Sequence, residues 1–97
     1  MKSVSEILSQ LGLGHDRQSE DAIGWQLLDQ MRAEGSVVLV KLDGERTLDP
    51  YTLVISGGPL GENYFRKDGS SINELIAEGA NFYDGLIWRG EALDPQV

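Results

Sequence analysis

The spacing of apolar residues changes at Gly35-Ser36, and that change constrains what the chain can fold into. Before it, Val4, Ile7, Leu8 and Leu11 fall at i, i+3, i+4 and i+7. Ala22, Ile23, Trp25, Leu27, Leu28 and Met31 then give a second run of helical period its apolar side. After it, Val37-Val38-Leu39-Val40 is apolar on both faces before Lys41-Leu42 restores alternation, which is the pattern of a strand. A chain of 97 residues has room for one domain, spanning 1–97, so helices and strands must share a single core.

Local signals give the expected order. Ser3 and Glu6 have capping-box spacing for a helix over about 4–11, which Gly12 and Gly14 stop. The run His15-Asp16-Arg17-Gln18 reads as a loop ending at Ser19, a second N-cap, with Glu20 and Asp21 in the first turn. That helix reaches about Glu34, with Gly35 as its C-cap. Gly24 weakens it by about 1 kcal/mol relative to alanine unless a neighbour packs tightly there. A central strand covered on both faces is expected from Ser36 to Arg46. Asp43-Gly44 also reads as a hairpin turn, but the next clean strand begins only at Tyr51, which favours a turn at Leu48-Asp49-Pro50. Tyr51 to Ser56 is the return strand, Asn63 to Lys67 a short third strand, and Asp68-Gly69 a turn. Ser71 and Glu74 repeat the capping box. Ile72, Leu75, Ile76, Gly79 and Tyr83 then share one stripe of a final helix, with Glu74, Glu78 and Asn81 on the other side. Leu86 to Arg89 suggests a short edge strand, and 90–97 a frayed polar tail. The order α-α-β-β-β-α-β predicts an α+β domain, an antiparallel sheet of three to four strands carrying about three helices.

Composition removes several classes of function. Sixteen acidic residues against eight basic ones leave a net charge of −8 and a pI near 4.4, which argues against nucleic acid or an anionic membrane as direct ligand. The absence of cysteine and the single histidine argue against thiolate sites, disulfides and histidine metal centres. No apolar run approaches the length of a membrane span, and Met1-Lys2-Ser3 leads straight into a helical pattern, so a cytoplasmic location is expected. Gly57-Gly58-Pro59-Leu60-Gly61 lacks a following Gly-Lys-Ser/Thr and leads to a strand. It therefore reads as a connection that needs unusual backbone angles, in place of a phosphate loop. His15 beside Asp16 is the one place where general-base chemistry could start, but no serine lies in a Gly-x-Ser-x-Gly elbow. Asp43-Gly44-Glu45 is too short for a calcium loop. The expectation is a protein that is no enzyme and carries no metal or cofactor.

The acidic excess remains, either as a solvated surface or as a surface shaped for a basic protein partner. Asp43, Glu45 and Asp49 surround the first hairpin, Glu62 follows the glycine loop, and Glu74 and Glu78 share a helix face. These residues and Tyr64 form the candidate partner-binding set, with Tyr51 and Trp88 as further aromatic anchors. Trp25, Phe65, Phe82 and Tyr83 are assigned to the core, a place equally open to Tyr51, Tyr64 and Trp88. The apolar stretch from Gly35 to Ile55 also allows a homodimer through an uncovered sheet surface.

Taken whole, and above all in 38–46 and 57–83, with Gly-Gly-Pro-Leu-Gly-Glu-Asn-Tyr-Phe-Arg-Lys-Asp-Gly (57–69) at their centre, the chain resembles the immunity proteins that neutralise bacterial toxins. These include those of contact-dependent growth inhibition and polymorphic toxin systems. The resemblance implies inhibition by occlusion, in which a negative surface covers the positive substrate cleft of a toxin domain, such as a nuclease. It transfers no residue roles. The alternative is a phage-type inhibitor that mimics nucleic acid, as anti-restriction and anti-CRISPR proteins do. A small enzyme or ligand-binding domain built on His15 is the third reading.

Overall fold

The Ser3 hydroxyl accepts the Glu6 amide at 3.1 Å while the Glu6 carboxylate accepts the Ser3 amide at 2.8 Å, and this closed capping box starts α1, Val4–Gln10. The computed structural model describes residues 1–12 and 20–89. The expectations placed on His15, Asp16, Ser19 and the tail 90–97 lie outside them.

Helix α2 is Glu20–Ala33 and leads through Gly35, at φ 104°, into β1, Val37–Leu42. An eight-residue connection reaches β2, Tyr51–Ser56, and a 3₁₀ turn at Gly58–Leu60 precedes β3, Tyr64–Gly69. Helix α3, Ile72–Tyr83, starts at Ser71, whose hydroxyl accepts the Glu74 amide at 3.3 Å. The sheet is antiparallel in the order β1-β2-β3, which makes the fold α+β with three helices and three strands among the described residues.

Register decides which side chains meet the helices. Val38, Val40 and Leu42 stand beside Ile55, Leu53 and Tyr51, which stand beside Phe65, Lys67 and Gly69. This face carries the helices, because an added Cβ on Gly79 of α3 would meet Ile55 Cδ1 and Leu53 Cδ2, each at 2.9 Å. Leu53, Ile55, Leu75, Ile76, Tyr83, Ile23, Leu27, Met31, Ile7 and Leu8 form the buried centre, and α1 packs on both longer helices. The expected tight neighbour of Gly24 is Ile76, whose Cγ2 would lie 2.9 Å from an added Cβ.

Four local expectations need correction. The apolar strand is an edge strand, and the covered central position belongs to β2. Both sheet connections join neighbouring strands, so the middle strand of the chain is also the middle strand of the sheet. Strand β1 stops at Leu42, because the Asp43 carboxylate accepts the Glu45 amide at 2.9 Å and Arg46 N–H reaches Asp43 O, which bends the chain locally. Strand β3 runs through Asp68-Gly69 to a later turn. Residues 84–88 continue α3 as a π-helical turn, Asp84–Trp88, in place of an edge strand. Arg89 N–H closes that turn on Asp84 O, and Arg89 leaves it in the left-handed region at φ 69°. Among the aromatics, Trp25 is half exposed, whereas Trp88 is buried against Tyr83 at a ring separation of 4.7 Å.

Candidate interaction surfaces

The direction of each element sorts the acidic residues. Gly69, at the end of β3, lies beside Leu75 near the start of α3, while Tyr83 at the other end of α3 touches Ser36 just before β1. Helix α2 runs the same way, since Gly24 meets Ile76 and Glu34 meets Tyr83. The starts of α2 and α3 therefore share one pole of the molecule with the β1–β2 connection. The β2–β3 connection lies at the opposite pole.

Asp21, Asp43, Glu45, Asp49 and Glu74 consequently gather at one pole. The carboxylates of Asp21, Glu45, Asp49 and Glu74 are exposed at the surface, and none of them forms an ion pair among the described residues. Asp43 is engaged differently, lying 3.5 Å from Lys41 Nζ and 3.3 Å from Arg46 Nε. The Glu45 amide, Lys41 and Arg46 hold its carboxyl below the ordinary aspartate range against the opposing pull of burial. Leu48 and Leu42 stand among these acids with 77% and 69% of their surfaces exposed, and Asp49 holds the loop in a left-handed conformation at φ 50°.

The other expected site residues are elsewhere. Glu62 and Tyr64 belong to the opposite pole, six strand residues away, or about 17 Å at the rise of a strand. Glu78 lies midway along α3 and is paired with Lys67 from β3. Tyr51 is half buried on the helix-bearing face. The structure thus joins Asp43, Glu45, Asp49 and Glu74, and separates Glu62, Tyr64 and Glu78 from them.

A second surface is the uncovered sheet face that the apolar stretch from Gly35 to Ile55 pointed to. The face of the sheet away from the helices presents Val37, Leu39 and Lys41 from β1, Thr52, Val54 and Ser56 from β2, and Tyr64, Arg66 and Asp68 from β3. Its end near Leu42 is a charge network. The Thr52 hydroxyl donates to Asp68 at 2.6 Å, and Arg46 bonds both Asp68 at 3.2 Å and Thr52 at 3.0 Å. Thr52 first, then Arg46 and Arg66, hold the Asp68 carboxyl below its ordinary range. The rest of β1 is apolar on both sides. Val37 and Leu39 are 62% and 56% exposed, and between β1 and α2 a groove of about 380 Å³ is walled by Trp25, Leu28, Val38 and Val40 together with the Asp29–Arg32 ion pair.

Chemical equipment is sparse by comparison. No cluster of His, Cys, Asp or Glu among the described residues is arranged to hold a metal ion. A cleft of about 350 Å³ between the start of the chain and the starts of α2 and α3 is lined mainly by apolar atoms, with Asp21, Asn73 and Glu74 among its residues. No helix among the described residues is long and apolar enough to cross a membrane. No protein-family model matches the chain, and no curated protein or solved structure shows significant similarity to it.

Proposed function

We propose that this chain is a non-enzymatic, acidic binding protein. It neutralises a basic toxin domain of the nuclease type by covering that domain's substrate-binding surface, in the cytoplasm of the producing cell. One observation carries the reading. Leu42, at the end of β1, and Leu48, in the β1–β2 connection, are exposed at the pole that also carries the exposed acids Glu45, Asp49, Glu74 and Asp21. Unpaired carboxylates at one pole speed encounter with a positive cleft, and desolvated leucines slow departure from it. The set differs from the one expected from sequence in leaving Glu62, Tyr64 and Glu78 outside the contact.

The test begins with capture from a lysate of the natural source at low and moderate salt, followed by inhibition assays on a retained basic nuclease. The expected result is stoichiometric inhibition that survives moderate salt. Reversing Glu45 and Asp49 to lysine should slow association at least about tenfold, while Glu62→Lys at the far pole leaves it within about twofold. Retention of many unrelated nucleic-acid-binding proteins would establish the mimic instead. Inhibition unchanged by the double reversal would remove the pole from the contact.

A further inference from the structure

We propose that β1 pairs edge to edge with β1 of a second copy of this chain, antiparallel about a two-fold axis at Leu39, to make one six-stranded sheet. The strand Val37-Val38-Leu39-Val40-Lys41-Leu42 has the composition of a strand covered on both faces, yet it lies at the rim of the sheet with no strand on its outer side among the described residues. Natural edges are blunted by charge, bulges or proline, and the other rim follows that rule: β3 carries Arg66, Lys67 and Asp68. Strand β1 carries a single lysine.

The phase of the ladder shows which backbone groups are offered. Asp43 N–H donates to Pro50 O at 2.8 Å, so Asp43, Lys41, Leu39 and Val37 turn their peptide groups toward β2. Val38, Val40 and Leu42 turn theirs outward. A two-fold axis at Leu39 places Val38 against Val40 of the second copy twice, and each pairing exchanges two ladder bonds. On the open face Leu39 meets its own counterpart, and Val37 meets the stem of Lys41. On the helix face the valines line the groove whose other side carries Trp25, Leu28 and the Asp29–Arg32 ion pair.

The placement of charge admits a second copy despite the like net charges and sets its orientation. Each chain carries a net charge of −8, and among the described residues Asp21, Glu45, Asp49 and Glu74 stand exposed and without an ion pair at the Leu42 pole. Antiparallel pairing sends the two acidic poles to opposite ends of the joined sheet and brings together strands whose one charged residue is Lys41. A parallel pairing would bring the poles side by side.

Sedimentation equilibrium from about 1 µM to about 500 µM should give a mass twice 10.7 kDa for the native chain. Leu39→Lys, which opposes two like charges on the axis, should raise the dissociation constant about 100-fold or more with an unchanged circular dichroism spectrum. Because the chain has no cysteine, Leu39→Cys should form an intermolecular disulfide on mild oxidation, its Cα atoms about 4.5 Å apart in a non-hydrogen-bonded pair. Val37→Cys, opposite Lys41, should stay reduced. Amide exchange at Val38 and Val40 should slow as native protein concentration rises, which tests the pairing even if a variant misfolds. A native mass of 10.7 kDa across the range, or exchange at these amides independent of concentration, overturns the proposal.

Discussion

The indole N–H of Trp88 sits 3.1 and 3.0 Å from the two carboxylate oxygens of Glu34, tying the last described turn to the end of α2 across fifty-four positions of sequence. Tyr83 Oη and Gln30 Nε2 donate to the same carboxylate, and the Ser36 hydroxyl lies 3.1 Å from both Tyr83 Oη and Gly57 O. Burial, reinforced by Glu34, pushes the Tyr83 hydroxyl above its ordinary pKa, so it remains a donor. Trp88→Phe keeps the stacking on Tyr83 and removes one donor from a charged acceptor. It should cost about 1–2 kcal/mol by urea denaturation.

The same corner explains why a glycine must stand at position 58. Gly58 adopts φ 59°, and a Cβ there would lie 2.6 Å from the Gly35 carbonyl carbon and 2.7 Å from Ser36 N, both rigid backbone atoms. Gly58→Ala should lose about 2–4 kcal/mol, combining left-handed strain with a forced shift of the α2–β1 turn. Gly57→Ala has nothing near its added carbon, so it should lose only the conformational part, about 1–3 kcal/mol for a side chain at φ 79° and ψ −173°, a region essentially confined to glycine. Thermal unfolding of the two variants side by side separates the contributions.

Asp68 provides a pH signature. Its folded pKa lies below the ordinary value of 3.8, so the interactions of its charged form stabilise the fold above that value and are lost as pH falls through the depressed one. Thr52→Val removes the largest cause, the 2.6 Å hydroxyl bond, while keeping the shape of the buried side chain. The Asp68 carboxyl should then titrate at higher pH in a carbon-13 NMR titration. The loss of stability between about pH 5 and pH 2 should be smaller in the variant than in the native chain.

Features written in adjacent residues were legible before the structure. Ser3 with Glu6 and Ser71 before Glu74 mark helix starts because a cap is a contact three residues long, and the stripe through Leu75, Ile76, Gly79 and Tyr83 is buried as its period requires, Leu75 and Gly79 on the sheet and Ile76 on α2. Val37 to Val40 could not report its own position, since an apolar run states that both faces want cover and says nothing about what supplies it. Leu86-Ile87-Trp88 is short enough to suit strand or helix, and the Trp88–Glu34 bond that settles it is remote in sequence. The grouping of Asp43, Glu45 and Asp49 followed from their nearness in the chain. Separating Glu62 from them required knowing that β2 reverses direction, and nothing local to Trp25 signals that it walls a groove in place of entering the core.

Two helix glycines meet neighbours at the same distance and should respond differently to alanine. At Gly79 the added carbon would lie 2.9 Å from both Ile55 Cδ1 and Leu53 Cδ2, on side chains with no exposed surface, and 3.5 Å from Phe65. Neither methyl can retreat without disturbing the centre of the sheet. The gain of about 1 kcal/mol in helix propensity should therefore be outweighed, leaving Gly79→Ala less stable by about 1–2 kcal/mol. At Gly24 the close atom is Ile76 Cγ2 alone, and Ile76 also lines the open cleft between the starts of α2 and α3, which gives its methyl somewhere to go. Gly24→Ala should thus fall between neutral and about 1 kcal/mol more stable. Denaturant midpoints of the two variants decide the point: equal losses at both positions would mean that Ile76 is held as rigidly as the residues of β2.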